Sequence, residues 1–347
     1  MLIIRAIAES DIDGLLALAQ LVGPGMTTLK PDRRALGARV EIACASFAEQ
    51  IDPTERDYLF VMEDSERGAI VGACAVRAAV GLHEPFYNYR IGTLVHSSKE
   101  LGVFSQLDTL YLSNDLTGSA ELCSLFLHPD YRRGHHGKLL SRSRFLFIAQ
   151  FPHLFPERLI AEMRGYQDEA GRSPFWDSLG QHFFRMDFSR ADDLTSLGKK
   201  SFIAELMPRH PLYVAYLTGA AQEVIGQVHR DTAPAQRLLE QEGMHFEGYV
   251  DIFDAGPTLQ ARVSELRALR ESELAIVDDA RAAAQSEDLW MVARLGLPDF
   301  RVIATTAHPN RGRIELPPQE RDLLHCRRGD PVRAMQLVPR RPQYGPR

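Results

Sequence analysis

The residues best suited to chemistry crowd into a short turn between an apolar run and a basic run. Residues 132–137 hold two arginines, two glycines and two histidines. The preceding run 120–129 has a strand pattern that stops at a proline, and the run after the turn has helical length. A glycine-bearing cationic turn at a helix start offers unpaired N–H groups to an anion, above all to phosphate. We therefore predict an anion site built on Arg132, Arg133 and Gly137.

Other interpretations of this turn are weaker. The spacing of Gly134 and Gly137 is too short for the phosphate loop of NTPases, and Leu139 stands where that loop needs the Ser or Thr that holds magnesium. His135 and His136 have no third ligand nearby, so we expect no metal site. An ordinary solvated loop remains the alternative to an anion site.

Composition places the chain among globular proteins and argues against several classes of partner. Its 347 residues are 45% hydrophobic and 25% charged, with a net charge of −6, so no global basic field attracts nucleic acid. No run approaches the roughly 18 apolar residues of a membrane span, and the first residues lack signal-peptide anatomy. The cysteines form no Cys-x-x-Cys pair, which favours free thiols in a reducing cytoplasm. We expect a cytoplasmic protein with no nucleic-acid or membrane partner.

The elements that must position the turn follow from the apolar patterning. A strand at 2–8 and two helices lead the chain, a set of strands continues as an antiparallel meander, and a strand–helix–strand crossover contains the turn. This arrangement predicts an α+β fold, with a mixed, mostly antiparallel sheet flanked by helices. In chain order, the later strand candidates are 57–64, 69–81, 86–98, 109–115, 120–129 and 158–165.

Two later segments share a plan that suggests an internal duplication. Residues 173–188 and residues 232–254 each read as a helix, a glycine stop and an aromatic strand. The residues between them read as helices. After about residue 262, short strands set among Pro and Gly predict a small β-rich C-terminal appendage.

These patterns divide the chain into three parts. Residues 1–190 contain the meander and the crossover, and residues 191–262 contain a helical insert and a second half-unit. Residues 263–347 form the β-rich appendage, and we expect its last residues, 340–347, to be a frayed tail.

The turn resembles the acyl-coenzyme A site of the GNAT N-acetyltransferase superfamily. That family carries Arg/Gln-x-x-Gly-x-Gly/Ala between a strand and a helix, and Arg132 and Gly137 match the first and last positions. His135 stands where the middle glycine is expected. The lead-in "LHPDYR" and the later "SPFWDSLG" and "AQRLLEQEGM" resemble further family hallmarks. The resemblance implies a GNAT-like fold in which the pyrophosphate lies on the turn and pantetheine runs between splayed strands, here 120–128 and 158–164.

A narrower resemblance covers most of the chain. The runs "SPFWDSLGQHFFRMDFSRADDLTSLGKKSFIAELMPRHPLY" and "AQEVIGQVHRDTAPAQRLLEQEGMHFEGYVDIFDAGPTL" are similar to arginine N-succinyltransferases. The resemblance implies transfer of a succinyl group from succinyl-CoA to the α-amino group of L-arginine, with no tightly bound cofactor and with ornithine as a second acceptor to test. It places the proton-donor histidine at His229, in "IGQVH", and a succinyl-CoA contact at Leu125. It also implies an oligomer, in which a similar subunit is a candidate partner.

The residue types at these two positions limit what each can do. A histidine, with a pKa of about 6.5, can take the amine proton or give one to the departing thiolate. Leu125 has no reactive group, so any role runs through its backbone, which can pair with pantetheine amides as an added strand does. A surface-loop histidine and a core leucine are the alternatives to these roles.

The substrates place further demands on the pocket. The carboxylates of the succinyl group and of arginine need cations or amide donors, and the guanidinium needs carboxylates or aromatic faces. Glu162 and Arg164 alternate along one strand and therefore share a face of the sheet, which makes them candidates for substrate contacts. A structural salt bridge between them is the alternative.

A second class of function competes with the enzyme. A non-catalytic subunit that binds acyl-CoA and regulates a catalytic partner would share most of these features. The histidine at position 135, in place of the family glycine, favours that interpretation, whereas the retained "IGQVH" argues against it.

Overall fold

The architecture is one large sheet with helices on both faces. The computed structural model describes residues 1–22, 26, 28–188, 190–191, 205–208, 210–279 and 288–339. Within these ranges fifteen strands join in a single sheet. No helix of the described chain is both long and apolar enough to span a membrane.

The elements are numbered here in chain order. The strands are β1 Leu2–Ala6, β2 Asp57–Asp64, β3 Ala69–Arg77, β4 Asn88–Ser98, β5 Val103–Ser113, β6 Ala120–Leu127, β7 Arg158–Glu162, β8 Leu212–Tyr213, β9 His245–Asp251, β10 Pro257–Arg262, β11 Glu273–Asp279, β12 Trp290–Arg294, β13 Arg301–Thr305, β14 Arg313–Leu316 and β15 Pro331–Gln336. The described α-helices are α1 Ile12–Ala19, α2 Arg33–Phe47, α3 His136–Gln150, α4 Gln181–Phe184, α5 Gly219–Val224, α6 Ala233–Gln241, α7 Arg267–Glu271 and α8 Pro318–Leu324.

The sheet is mixed and mostly antiparallel, as predicted. From one edge to the other its order is β14-β11-β15-β12-β13-β1-β2-β3-β6-β7-β10-β9-β4-β5-β8. Among the described strands, β6 with β7 and β11 with β14 run parallel. The β6–α3–β7 unit is the crossover expected from the sequence, and it lies near the middle of the sheet.

Alternate side chains of the central strands pack under different helices. Leu59 and Val61 of β2 lie under α1 and α2, whereas Phe60 and Met62 lie under α3. Helix α3 is buried continuously over residues 139–149. It packs on β3 and β6, and α6, α7 and the C-terminal strands cover its other sides.

One predicted strand is wrong, and with it the repeated plan on which the duplication rested. Residues 181–188 contain no strand, because the helical turn Trp176–Gly180 runs directly into α4. Gly180 has helical dihedrals and does not stop the helix. A Cβ at this position would lie 2.3 Å from the Trp176 ring, so the glycine permits close packing within the helical segment.

The second segment of the pair does have the predicted plan. Helix α6 ends just before Gly243, whose φ of +104° is one that glycine adopts readily, and β9 follows. Of the helices expected between the two segments, α5 is described, and residues 192–204 lie outside the described chain.

The β-rich C-terminal part continues the main sheet. β13 pairs with β1, and β12 pairs with both β13 and β15, so the last strands extend the sheet beyond the N-terminal strand. The patterning did not predict β11. The expected tail, 340–347, lies outside the described residues, and the three-part domain division remains a prediction.

Candidate active site

A cleft opens in the sheet where β6 and β7 separate. The two parallel strands pair over only two residues each, and the last pair is Glu121 with Ile160. Beyond this point β6 stays with β3 as far as Leu127, and β7 stays with β10 as far as Glu162. The carboxyl-terminal halves of the two strands are therefore splayed, as a site for a pantetheine arm between them requires.

A β-bulge in β6 lies at the inner end of this cleft. The β3–β6 register shifts on either side of Cys74, so Ser124 and Leu125 together oppose that single residue. Ser124 is buried and has a left-handed φ of +55°, which is uncommon for a residue with a side chain. Since the bulge interrupts the ladder beside Leu125, a contact with the acyl-CoA through backbone groups is sterically reasonable there.

An arginine from α2 holds the bulge in place. Arg39 donates from Nη1 to Oγ of Ser124 at 2.7 Å, and from Nε to Oδ2 of Asp57 at 2.7 Å. Burial works against ionisation of Asp57, but Arg39 and Arg77 outweigh it and lower the pKa of that carboxyl. No local pattern predicts this role for Arg39, because its partners lie on two strands that are distant in sequence.

The turn after β6 presents the free amides that an anion needs. Gly134 has a φ of +55°, a left-handed conformation that lets the chain turn into α3. Within the described chain, the backbone amides of Gly134, His135, Gly137 and Lys138 donate to no protein atom. His135, at the position of the family's middle glycine, has an ordinary φ of −111°. Gly134, one position before it, therefore supplies the left-handed conformation of the turn. These amides lie at the positive end of the α3 dipole.

The predicted cationic residues lie around these amides. Nε of Arg132 donates to the carbonyl of Leu127 at 3.0 Å, and the Arg132 guanidinium lies 5.3 Å from the centre of the Phe126 ring. Arg133 is exposed beside it. A Cβ at Gly137 would meet only Cδ2 of Leu127, at 3.9 Å, so the space in front of the turn is open. The structure thus brings these three residues together at the open end of the cleft.

His229 lies on the opposite wall of the cleft. Its amide donates to the carbonyl of Arg164 at 2.8 Å, and Val228 forms a β-bridge with Gly165, so this loop pairs with the chain just past the end of β7. Helix α6 begins a few residues later, as the sequence predicted. The His229 side chain is 11% exposed, which leaves it accessible from the cleft side without full solvation.

The surroundings of His229 favour a neutral ring that carries its proton on Nε2. Nδ1 accepts a hydrogen bond from the amide of Asp231 at 3.2 Å, and a neutral ring with an accepting Nδ1 is protonated at Nε2. Burial and the charge of Arg164 lower the pKa of His229, and the Asp231 carboxylate offsets this only in part. Near neutral pH the ring therefore presents a donor at Nε2, which suits the role of proton donor.

Glu162, the last residue of β7, and Arg164, just beyond it, lie on the side of the sheet turned away from α3. Their neighbours Ala161 and Met163 point into the core under α3. Oε1 of Glu162 accepts from Nδ2 of Asn88 at 2.9 Å, and Nη2 of Arg164 donates to the side-chain oxygen of Gln167. Both residues are half-buried, and the loop of His229 pairs with the chain at this end of β7.

Several polar residues of this wall escaped the sequence analysis. Thr258 and Gln260 of β10 stand beside β7 in register, Thr258 opposite Glu162, and Asn88 of β4 reaches both Glu162 and Thr258. Oδ1 of Asn88 and the amide nitrogens of Gln167 and Gln260 are buried with no hydrogen-bond partner in the described chain. Buried polar atoms seldom lack a hydrogen-bond partner. A polar ligand bound at this wall could supply the missing partners.

A buried carboxyl pair supports the chain behind His229. Asp254 accepts hydrogen bonds from the amides of Gly165 at 2.8 Å and Gly256 at 2.9 Å. Burial, together with the adjacent Asp251, raises the pKa of Asp254 well above its usual range, which favours the protonated form of this carboxyl. The pair fixes the backbone at Gly165, next to the residue whose carbonyl holds His229.

These parts fit acyl transfer from a thioester. Unpaired amides and arginines lie at the turn, the splayed strands leave an elongated cleft, a bulge lies along it, and His229 stands on the far wall. The mixed, mostly antiparallel sheet flanked by helices confirms the predicted α+β class, and its cleft and turn have the form expected of an N-acyltransferase.

Comparison with known proteins gives the family. The chain belongs to the arginine N-succinyltransferase family: the family described as "Arginine N-succinyltransferase beta subunit" matches residues 2–268, and its C-terminal domain matches residues 272–336. It is 49% identical over 337 residues to a protein of Escherichia coli named "Arginine N-succinyltransferase", covering 97% of this chain and 98% of that one. An Enterobacter protein of the same name is 48% identical over 339 residues, with 98% of each chain covered.

A solved structure supports the same assignment. Subunit AI of the arginine/ornithine succinyltransferase from Pseudomonas aeruginosa superposes with a TM-score of 0.88 at 33% sequence identity. The match covers 98% of this chain and 99% of that chain, so the C-terminal strands are part of the shared fold.

Proposed function

We propose that the protein is an arginine N-succinyltransferase, which transfers the succinyl group of succinyl-CoA to the α-amino group of L-arginine and so begins arginine catabolism by the succinyltransferase pathway. The observation that carries the proposal is the β6–β7 cleft, with a turn of unpaired amides on one wall and His229 on the other. Succinyl-CoA is a co-substrate, and the reaction needs no tightly bound cofactor.

The steps follow from the chemistry of a thioester. The uncharged α-amine attacks the carbonyl carbon, the C–N bond forms, and the C–S bond breaks. Backbone groups at the bulge beside Leu125 stabilise the developing oxyanion. Nε2–H of the neutral His229 ring donates a hydrogen bond to the departing sulfur, and the proton lost by the amine passes to that sulfur, so the products are the amide and the free thiol.

The remaining site residues serve the two ends of the substrates. Arg132, Arg133 and the amides near Gly137 hold the pyrophosphate, where charge-assisted hydrogen bonds are strongest. Glu162 and Arg164, with opposite charges on one face, receive the charged groups of arginine. The guanidinium pairs with the Glu162 carboxylate, and the α-carboxylate pairs with Arg164.

The test is an assay of purified protein for thiol release and product. With succinyl-CoA and L-arginine together, free thiol should appear in step with α-N-succinylarginine identified by mass spectrometry. Omission of either substrate should abolish both signals. L-Ornithine, assayed in parallel at equal concentration, measures the second acceptor. Acylation of a guanidino nitrogen or of the ornithine side chain would contradict the proposal.

A regulatory subunit is the second candidate. The observation in its favour is His135 at the family's glycine position, although Gly134 supplies the left-handed conformation. Tight binding of succinyl-CoA with no turnover of arginine or ornithine would select this alternative. We propose an oligomer, with a second copy or a similar subunit as partner, and size-exclusion chromatography with light scattering measures it.

The cytoplasm is the proposed location. All four cysteines are free thiols, which suits a reducing compartment. Fractionation of cells that express a tagged full-length chain tests this: the protein should appear in the cytosolic fraction and not in the membrane or periplasmic fractions.

A further inference from the structure

Helix α3 carries a buried cation that has no counter-ion in the described chain. Arg144 is 2% exposed. It makes two hydrogen bonds, both to Ser141: Nε donates to the carbonyl at 3.1 Å, and Nη2 donates to Oγ at 3.0 Å. No carboxylate of the described residues pairs with it. A buried charge without a counter-ion costs free energy of folding, and a bound ligand of opposite charge would offset that cost.

The neighbouring arginine of the same helix shows the usual solution. Arg142 is fully buried, and its Nε lies 2.7 Å from Oε1 of Glu242, which is also fully buried. Glu242 pairs in addition with Arg267 at 2.8 Å. One buried arginine of α3 is therefore neutralised by the protein, whereas the other, two residues along the helix, is not.

The titratable groups that interact with the charge of Arg144 are two thiols. Cys74 and Cys123 are buried, and burial raises the pKa of the Cys74 thiol to about 11 and raises that of Cys123 as well. Neither thiol is ionised near neutral pH, so neither provides the missing negative charge.

Arg144 lies close to the bulge, because the thiols that interact with its charge, Cys74 and Cys123, flank the bulge on β3 and β6. Cys74 is the residue opposite the β6 bulge, and its Sγ contacts the carbonyl of Leu140 at 3.4 Å and Oγ of Ser143 at 3.9 Å, on the turn of α3 next to Arg144. Arg144 follows the start of α3 at His136 by eight residues, or about 12 Å of helix. The guanidinium thus lies near the bulge, deep beneath the phosphate-binding turn.

We propose that Arg144 binds the distal carboxylate of the succinyl group and so selects a dicarboxylic acyl group over a neutral acyl group of equal length. The thioester carbonyl lies at the bulge when the arm fills the cleft, and the four-carbon acyl chain then extends inward past Cys74 to the guanidinium. The inference rests on the proposed function, because it names the acyl group that the same site receives.

The test compares succinyl-CoA with butyryl-CoA, which has a methyl group in place of the carboxylate. In Arg144→Met, kcat/KM for succinyl-CoA should fall by about 100-fold or more, since a buried charge pair is lost, while kcat/KM for butyryl-CoA stays or rises. Arg144→Lys should recover part of the preference. Arg142→Met is the matched control, because Glu242 keeps its Arg267 partner; its ratio of succinyl-CoA to butyryl-CoA should equal that of the wild type.

If the variants do not fold, calorimetry on the wild-type protein measures whether the carboxylate of the acyl group contributes to binding. Succinyl-CoA should bind about tenfold or more tightly than its methyl ester or butyryl-CoA, and free CoA should bind like butyryl-CoA. Equal affinities for succinyl-CoA, its methyl ester and butyryl-CoA would overturn the inference, as would an Arg144→Met variant that keeps the wild-type preference. Absence of arginine acylation by the wild type would instead contradict the proposed function, while a strong preference for succinyl-CoA over butyryl-CoA in binding would still support the role of Arg144.

Discussion

The amide of His229 donates a hydrogen bond to the carbonyl oxygen of Arg164, 2.8 Å away. This single bond ties the candidate proton donor to the end of β7, one wall of the cleft. The same end of β7 carries Glu162 and is fixed from behind by Asp254. A loop residue thereby gains the positional precision of a strand, which general acid–base chemistry requires.

The first prediction concerns proton transfer. His229→Ala should lower kcat by about 10²–10⁴-fold, the usual contribution of a general acid–base group, with little change in succinyl-CoA affinity. His83→Ala is the control, because His83 is an exposed histidine paired with Glu55 at the surface. A folded His229→Ala variant that turns over like the wild type from pH 6 to pH 9 would rule the assignment out.

The second prediction concerns the phosphate turn. Gly137→Val should weaken CoA binding by roughly tenfold to a hundredfold, the loss expected if contacts worth about 1–3 kcal/mol are blocked. The chain itself accommodates the side chain, because a Cβ at Gly137 meets only Leu127, at 3.9 Å. Gly37→Val in α2 is a matched control, since nothing lies within 4 Å of a Cβ there. Unchanged CoA affinity by calorimetry in folded Gly137→Val would place the pyrophosphate elsewhere.

The third prediction concerns the acid limb of the pH profile. Burial lowers the pKa of His229, so the neutral donor persists below pH 6.5, and kcat/KM should fall only as the pH drops through this lowered value. The stability that the neutral ring contributes is lost over the same acidic range. Asp231→Asn should move the limb to still lower pH, because the carboxylate raises the pKa. An NMR titration of the ring that gave a pKa above 6.5 would contradict this.

The fourth prediction concerns the buried acid behind His229. Because the pKa of Asp254 is raised, the stability that its protonated form contributes is present at low pH and declines as the pH rises toward the folded-state value. Asp254→Asn removes this titration. The difference in unfolding free energy between wild type and Asp254→Asn should therefore shrink from pH 5 to pH 8, as measured by urea denaturation. A pH-independent difference would mean that Asp254 ionises normally in the fold.

Sequence patterning predicted the parts of the fold that depend on local periodicity. The β2–β3 hairpin, the crossover and the turn around Gly137 follow from alternation and from glycine placement. The prediction of a continuous meander was wrong, because β3 pairs with β6 and the β4–β5 hairpin joins the sheet beside β9. The prediction of a strand after Gly180 was wrong, because this glycine does not end the helix but makes room for the Trp176 ring. A rule that treats glycine as a helix stop takes no account of such a packing contact. Strand β11 was not predicted, because its short apolar run lies between polar segments and shows no clear alternation of apolar and polar residues.

The candidate site was predictable only where it is contiguous in sequence. The turn and the histidine motif could be read directly, and the family resemblance supplied their roles. Asn88 and Gln260 reach the wall because β7, β10, β9 and β4 are neighbours in the sheet, and this order is not written in any local pattern. The residue types around Ser124 do not indicate a bulge. The lack of a counter-ion at Arg144 can be seen only in the packed structure.

A single-turnover experiment tests the central claim most directly. Wild-type protein in excess over succinyl-CoA is mixed with L-arginine, and free thiol and α-N-succinylarginine are quantified together over time. We predict that both appear with one rate constant and in equal amounts, and that His229→Ala slows both by about 10²–10⁴-fold without changing the final yield. Thiol release without α-N-succinylarginine, or bound succinyl-CoA that stays intact in the presence of arginine, would contradict the assignment of acyl transfer to this cleft.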